Sequence, residues 1–232
     1  PNAETLNDFE AAISKTKKNY NFSATLYYML YKDQLVLTGK INDIGSYTRI
    51  NVPNSYRAGI ELQAGAAFAS WFNANGNITF SSNKIKSFTE YLDNYDVDYN
   101  YIGQQAVQHT NTDISFSPNV VAAGTLTFIP IKTAQLNFVS KYISKQYLDN
   151  TSNNNRMLPS YFTEDVRLNY TLYKKLFTEI DFIVEVNNIF NKLYEPNANT
   201  YPYMYNEEII NDNYYYPAAP TNFMIGVNVR FY

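Results

Sequence analysis

The sequence predicts an all-β protein, an antiparallel transmembrane β-barrel, from three observations. The last stretch, Pro220 to Tyr232, alternates apolar Phe223, Ile225 and Val227 with polar or small residues, which is the period of a two-faced strand. The composition combines 23 Tyr and 15 Phe with only 17% charged residues, and the mean hydropathy of -0.37 argues against a bundle of membrane helices. The connections between the predicted strands alternate between short and long, as they do in membrane barrels.

The first two predicted strands are Thr5 to Lys15 and Tyr20 to Leu37, joined by the short turn K-K-N. In the first, Phe9 and Ile13 share a face and alternate with acidic residues. A polar connection then runs as far as Asn54. Alternation of this kind indicates a strand with one face in an apolar environment and the other in a polar one.

The clearest two-faced strand is Ser55 to Ser70. Its even-numbered residues from Tyr56 to Phe68 are mainly apolar, whereas Arg57, Glu61 and Gln63 lie on the opposite side. Because a strand in a membrane barrel places apolar side chains toward lipid and polar ones toward the lumen, we expect the three polar residues to face the lumen.

The middle of the chain predicts three further strands. A tight turn leads into Asn75 to Phe88, and a long loop rich in Tyr, Asp and Asn follows over Glu90 to Asn111. The next two strands are Thr112 to Ile129 and Ala134 to Tyr147, and a polar loop occupies Leu148 to Pro159.

Three strands complete the chain. Ser160 to Tyr173 and Phe177 to Phe190 are joined by a turn at Lys174 and Lys175, and a loop over Asn191 to Ala219 leads to the terminal strand. The charged residues that alternate with apolar ones in this part, and that we expect to face the lumen, are Asp165, Arg167, Glu179, Asp181 and Glu185.

The strand count carries a further expectation. These segments make about nine strands, and a closed antiparallel barrel needs an even number because its first and last strands otherwise run parallel. The chain opens on Pro rather than Met and shows no signal peptide. We therefore expect residues 1–232 to be the C-terminal portion of a larger barrel, unless the count is one strand in error.

Enzymatic and nucleic-acid functions find no support in the residues. The chain has no Cys, which excludes a Cys-His arrangement, and His109 is the only histidine that could serve as a base; a lone loop histidine is usually exposed rather than functional. The net charge of -3 comes with no basic stripe for nucleic acid. The acidic run D-N-Y-D-V-D-Y-N lacks the glycine and closing Glu of a calcium loop, which favours a solvated loop. We predict no catalytic site, resident cofactor or metal.

Tyrosines dominate the two longest predicted loops. A tyrosine ring offers a stiff flat face and a hydroxyl, which suit planar or sugar-like ligands. The ligand-binding candidates are Tyr95, Tyr99, Tyr201, Tyr203, Tyr205 and Tyr215. The alternative is that these rings only pack the loops against one another. Asp and Glu outnumber Lys and Arg in both loops, so we expect a negative outer mouth that disfavours anions.

Five segments are more specific than this general pattern. They are L-Y-Y-M-L-Y-K-D-Q-L-V-L-T-G from Leu26, N-S-Y-R-A-G-I-E-L from Asn54, S-K-Y-I-S-K-Q-Y-L-D-N-T from Ser140, E-V-N-N-I-F-N-K-L-Y-E from Glu185, and Y-Y-P-A-A-P-T-N-F-M-I-G-V-N-V-R-F from Tyr215. Together they resemble the C-terminal half of TonB-dependent outer-membrane receptors. One departure is Tyr232, because such receptors commonly stop on the Phe that matches Phe231.

The resemblance implies a barrel of about 22 strands filled by a plug domain that lies outside these residues. It places the protein in the outer membrane of a Gram-negative bacterium, with extracellular loops and a periplasmic C-terminus. It further implies a receptor for a scarce small-molecule nutrient, an iron chelate, haem or corrinoid. The partners it implies are membrane lipid, the remaining barrel and plug, and TonB-ExbB-ExbD, which supplies energy through the plug for import into the periplasm.

Other functions remain open at the level of sequence. Within the same class, the receptor could import an oligosaccharide or peptide together with a surface lipoprotein. Outside it, the chain could be a small self-contained porin or structural barrel, which requires closure by its own strands. An outer-membrane protease or lipase would need a nucleophile and base that the residues do not offer.

Overall fold

The computed structural model describes residues 2–174 and 177–231. The first seven strands are β1 (Thr5–Thr16), β2 (Tyr20–Ile41), β3 (Tyr47–Ala69), β4 (Phe72–Tyr95), β5 (Tyr101–Asp113), β6 (Val120–Ile131) and β7 (Ala134–Ile143). The others are β8 (Gln146–Tyr147), β9 (Met157–Leu158), β10 (Tyr161–Lys174), β11 (Phe177–Asn187), β12 (Asn197–Tyr205), β13 (Glu208–Tyr216) and β14 (Asn222–Arg230). In these two described ranges, no helix has the length and apolarity needed to cross a membrane.

Nine of the strands form one antiparallel wall. Their order is β1-β2-β3-β4-β6-β7-β10-β11-β14, so the strands of the wall keep their chain order, and the other strands lie in the connections between them. This confirms the predicted fold class and the count of about nine strands. Within the described residues, β1 pairs only with β2 and β14 only with β11, and the wall is therefore open at both edges.

The two faces of the wall differ in chemistry. Cross-strand partners lie on the same face of a sheet, and the register joins Met29 to Arg57 and Arg57 to Asn83 on what we call the polar face. The opposite, apolar face carries Ile13 at 69% exposure and Phe223 at 73%. Apolar side chains exposed to this degree along a whole wall fit a lipid environment, which requires no burial within the protein.

The short turns lie at one end of the wall, here called the short-turn end. They include residues 17–19, 70–71 and 132–133, and β4 begins at Phe72, three residues before the predicted start at Asn75. Aromatic rings cluster there, with Phe72 and Phe128 stacked 4.8 Å apart and Trp71 stacked beside both. Of the turn predicted at Lys174 and Lys175, Lys174 is the last residue of β10, whereas Lys175, like the last residue of the chain, falls outside the described residues.

The end of the wall opposite the short turns, here called the far end, differs from the prediction. The segments predicted as loops at 90–111 and 191–219 consist mainly of β-hairpins, formed by β4 with β5 and by β12 with β13. Their Tyr, Thr and Val residues favour strands, but the Asp and Asn between them resemble loop composition. The prediction failed because polar residues of these hairpins, such as Asn199 and Thr200, are themselves buried against neighbouring segments, so burial here produces no alternation of polar and apolar residues.

Two further boundaries differ from the prediction. Strands β2 and β3 continue through most of the polar connection predicted after Leu37. The predicted strand Thr112 to Ile129 is two strands, β5 and β6, separated by residues 114–119. That segment turns inward over the polar face, where the Arg57 Nη1 donates a hydrogen bond to the Ser117 Oγ at 3.0 Å.

Two small apolar clusters hold the far end together. One contains Val36, Val52, Ile85 and Ile114, with Phe88 packed against it. The other contains Leu148, Leu158 and Ala198, packed against Phe116. Because these residues come from β2, β3, β4, β9 and β12 and from the segments between strands, the clusters join the upper wall to the hairpins that carry the candidate site.

Candidate functional site

A cleft of about 380 Å³ opens between the two hairpins of the far end. The β4–β5 hairpin lines it with Asp93, Tyr95 and Tyr99, the β12–β13 hairpin with Tyr201, Pro202, Tyr203 and Asp212, and β2 with Lys40. We call this cleft the tyrosine pocket. Its volume lies within the range usual for small-molecule sites.

Backbone pairing brings the two walls of the pocket together. The tip of β12 runs parallel to the end of β4, with Met204 opposite Asn94 and Tyr205 opposite Tyr95. The Asn206 N–H donates a hydrogen bond to the Tyr95 carbonyl at 3.3 Å. The β12–β13 hairpin therefore reaches from the connection between β11 and β14 across to β4.

The rings position one another. Tyr95 and Tyr203 meet edge to face, with ring centroids 5.9 Å apart and ring planes at 88°. Tyr99 and Tyr205 stack, with centroids 4.4 Å apart and planes at 25°. Aromatic pairs of this kind contribute about 0.5–1.5 kcal/mol beyond the burial of their surface. The Tyr205 hydroxyl also donates to the Val97 carbonyl at 3.2 Å, so the two hairpins hold a defined arrangement of flat surfaces.

The pocket lining is acidic, with Asp93 and Asp212 against the single cation Lys40. Desolvation, followed by the charge of Asp212, raises the pKa of the Tyr203 hydroxyl, and desolvation with the neighbouring Tyr99 raises that of Tyr205. Both hydroxyls therefore remain protonated at neutral pH and can donate hydrogen bonds to a ligand. The Asp93 Oδ1 accepts a hydrogen bond from the Gln104 Nε2 at 2.8 Å.

A buried charge network lies next to the pocket and touches both of its walls. Arg156, only 1% exposed, places Nη1 at 2.7 Å from Glu90 on β4 and at 2.8 Å from Asp149. Its Nε donates to the Asn211 Oδ1 on β13 at 2.5 Å. His109 Nε2 lies 2.9 Å from the other oxygen of Glu90. Arg156 thus clamps together the hairpins that form the pocket.

This network was not predicted from the sequence. His109 was expected on an exposed loop, but its side chain is mostly covered and stacks on Phe88 at 5.1 Å. Arg156 is a single cation within a polar stretch, and no motif marks it. The only available signal was that Arg156 and Asp149 are the two charged residues of the otherwise uncharged segment 148–159.

The six candidate tyrosines do not all reach the pocket. Tyr95, Tyr99, Tyr201 and Tyr203 line it, and Tyr205 supports it by stacking on Tyr99. Tyr215 lies opposite Ala198 near the base of the hairpin, away from the cleft. That any of these residues contacts a ligand stays a prediction.

The acidic residues once considered for calcium have other partners. Asp96 accepts hydrogen bonds from the backbone N–H and side-chain amide of Asn100 and from the backbone N–H of Asp98, which lower the pKa of its carboxyl and close the β4–β5 turn. Glu90 belongs to the Arg156 network. In the part of the chain that the structure describes, no group of three or more His, Asp or Glu residues could hold a metal ion.

All eight residues predicted to face the lumen lie on the polar face. Cross-strand partners share a face, and so do residues two apart along a strand, which together place all eight on this face. They are Arg57, Glu61, Gln63, Asp165, Arg167, Glu179, Asp181 and Glu185. Arg57 and Glu61 border a second cavity of about 480 Å³ on that face. That the polar face borders a lumen stays a prediction.

The family follows from comparison of the sequence with known families. A family profile described as "TonB dependent receptor-like, beta-barrel" matches residues 1–189. The chain belongs to this family. Members of the TonB-dependent receptor family are transporters rather than enzymes, and the family implies the outer membrane of a Gram-negative bacterium. No curated protein sequence matches the chain significantly.

Solved receptors share the fold of this TonB-dependent receptor barrel segment. The siderophore receptor PiuA from Acinetobacter baumannii has a TM-score of 0.66 and 17% identity over 97% of this chain and 28% of its own. The ferric yersiniabactin uptake receptor FyuA from Yersinia pestis has a TM-score of 0.64 and 16% sequence identity, and the match covers 98% of this chain and 30% of FyuA. The ferric-catecholate import receptor Fiu from E. coli K12 has a TM-score of 0.64 and 16% sequence identity, and the match covers 98% of this chain and 28% of Fiu. The chain thus spans less than a third of each receptor, and at these identities the likeness concerns the fold.

Proposed function

We propose that residues 1–232 are the C-terminal portion of an outer-membrane receptor that binds a scarce nutrient and imports it into the periplasm. The nutrient is an iron chelate, haem or corrinoid. The observation that carries this proposal is the tyrosine pocket, because it combines flat aromatic walls, hydroxyl donors and a volume suited to a small molecule at the far end of the wall.

Orientation and energy coupling belong to the same proposal. We place the far end outside the cell and the short-turn end, with the C-terminus, in the periplasm. Short periplasmic turns and longer extracellular connections are the rule in such barrels. A plug in the rest of the receptor would occupy the polar face and transmit the pull of TonB-ExbB-ExbD. The open edges of the nine-strand wall support pairing with further strands of a larger barrel.

The test uses the intact receptor in its own outer membrane. We expect Tyr203→Ala to weaken binding of the imported chelate about fivefold or more, because it removes a wall of the pocket and the edge-to-face partner of Tyr95. Tyr215→Ala is the matched control, since it removes the same side chain from the same hairpin outside the pocket. The measurement is uptake and equilibrium binding of radiolabelled ferric chelates, haem and cobalamin.

Two results would contradict the proposal. The first is equal behaviour of the two tyrosine variants toward every nutrient that the receptor takes up. The second is uptake that continues at the same rate when TonB is deleted, since import against a gradient needs that source of energy. Binding in the absence of TonB should persist, because the pocket forms without it.

An oligosaccharide or peptide importer that works with a surface lipoprotein is the second candidate. The tip of the β4–β5 hairpin favours it, because Val97, Tyr101 and Ile102 are each about 60% exposed beyond the pocket. Clustered apolar side chains of this kind are typical of protein contacts. Co-purification of a lipoprotein with the receptor, lost in an Ile102→Asp variant, would favour this candidate over chelate uptake.

A further inference from the structure

The charges in the tyrosine pocket are unequal. Asp93 and Asp212 contribute two carboxylates, whereas Lys40 is the single cation of the lining. Among the described residues, neither carboxylate has a lysine or arginine within ion-pair distance, and Asp93 is satisfied by the neutral amide of Gln104. The pocket therefore has one uncompensated negative charge.

The aromatic lining adds to this field. The faces of tyrosine rings carry negative charge density and attract cations placed over them. Desolvation, followed by the charge of Asp212, raises the pKa of the Tyr203 hydroxyl, so this ring adds no competing negative charge of its own beside the carboxylates. Besides Asp93 and the ion-paired Glu90, the β4–β5 hairpin, residues 90–111, contains Asp96 and Asp98 and no Lys or Arg.

We propose that the tyrosine pocket takes a positively charged part of its ligand, such as a protonated amine on a metal chelate, and excludes chelates of net negative charge. This rests on the proposed function and adds the charge class of the substrate. An ammonium group between Asp93 and Asp212 would lie against the rings of Tyr95 and Tyr203, so charge and ring contacts act on the same group.

The test compares three ferric chelates on the intact receptor. The first is a linear trihydroxamate chelate with a free amino group, the second is the same chelate with that amine acetylated and uncharged, and the third is an anionic tris-catecholate. In the unaltered receptor we expect the amine-bearing chelate to bind about three- to tenfold more tightly than its acetylated form, and both more tightly than the catecholate.

The variants separate charge from shape. Exchanging both carboxylates, Asp93→Asn with Asp212→Asn, should remove the preference for the amine, while Lys40→Met should increase it. Glu208→Gln is the matched control, because Glu208 is an exposed carboxylate of the same hairpin outside the pocket. The Asn variants should leave binding of the acetylated chelate unchanged within about twofold.

Failure of this inference differs from failure of the proposed function. If the double Asn variant weakens the charged and acetylated chelates equally, or if the catecholate binds most tightly to the unaltered receptor, the charge assignment is wrong. If Tyr203→Ala still weakens all three chelates in that case, the proposed function stands. If neither Tyr203→Ala nor the double Asn variant changes the binding of any chelate, the proposed function and the charge assignment are both wrong.

Discussion

Arg156 shows how one residue organises the candidate site. Its guanidinium is 1% exposed and contacts Glu90, Asp149 and Asn211, which come from three different segments of the far end. A buried ion-pair network of this kind contributes little to the free energy of unfolding when it is compared with a variant in which the arginine and both carboxylates are replaced by apolar residues. Removing only one partner is costly, however, because the other charges stay buried.

We expect Arg156→Met to loosen the far end by about 3–5 kcal/mol, since Glu90 and Asp149 would lose their counter-ion in a covered environment. The nine-strand wall below should be unaffected. The measurement is the rate of protease cleavage within residues 144–160 in outer-membrane vesicles, followed with chelate binding. Arg156→Lys should be intermediate, because lysine keeps the charge but loses the planar fork.

Arg230→Met provides the control for this prediction. Arg230 pairs with Glu179 at 2.8 Å but its side chain is 68% exposed, and exposed pairs contribute about 0–1 kcal/mol. A similar cleavage rate for Arg156→Met and for the unaltered receptor would show that the buried network does not hold the hairpins.

At the scale of elements, the β2–β3 pair depends on a close approach at one glycine. Gly59 lies opposite Tyr27, and a Cβ placed there would come within 2.6 Å of the Tyr27 hydroxyl and 2.5 Å of the Phe80 carbonyl. The tyrosine ring therefore covers the strand where the glycine leaves room. The arrangement lies on the polar face beside Arg57 and Glu61.

We expect Gly59→Ala to destabilise the barrel by about 1–3 kcal/mol, because the Phe80 carbonyl belongs to the backbone and cannot move aside cheaply. Gly226→Ala is the matched control, since its new Cβ would lie 3.8 Å from the nearest atom, the Ile183 Cβ. The measurement is the temperature at which the full-length receptor loses its heat-modifiable band on a gel. Equal temperatures for both variants would show that the contact at Gly59 relaxes freely.

At the scale of the whole molecule, the open edges of the wall set a limit on independent folding. β1 and β14 each have one partner within the described residues, so each presents a row of unpaired backbone N–H and C=O groups. In hydrocarbon, each unsatisfied group costs on the order of several kcal/mol. The two edges cannot pair with each other in the usual way, because nine strands would bring them together parallel.

We expect residues 1–232 expressed alone to give no monodisperse, heat-modifiable monomer in detergent or lipid, whereas the full-length receptor does. The summed cost of two open edges exceeds an ordinary folding stability of about 5–15 kcal/mol. The measurement is gel migration with and without heating, together with size-exclusion chromatography. A closed monomer from these residues would move the small self-contained barrel ahead of the receptor.

The sequence by itself determined the strands of the wall and their faces. Alternation between Arg57, Glu61 and Gln63 on one side and apolar residues on the other is a local pattern, because side chains of a strand point alternately to its two faces. Because the strands of the wall pair in chain order, recognising each strand was enough to predict the wall, and the count of about nine strands followed from the same alternation. The family resemblance was equally local, since it rested on short segments.

Only the tertiary structure decided the site. The parallel contact of Tyr205 with Tyr95 joins residues far apart in the chain, and nothing in either segment specifies the other. The hairpins concerned bury polar residues such as Asn199 and Thr200 as well as apolar ones, so no polarity pattern marked them as strands. Arg156 forms its clamp through single contacts with three segments, and single contacts have no period in sequence. A strand's faces are determined by neighbouring residues, whereas a pocket depends on where the chain returns in space.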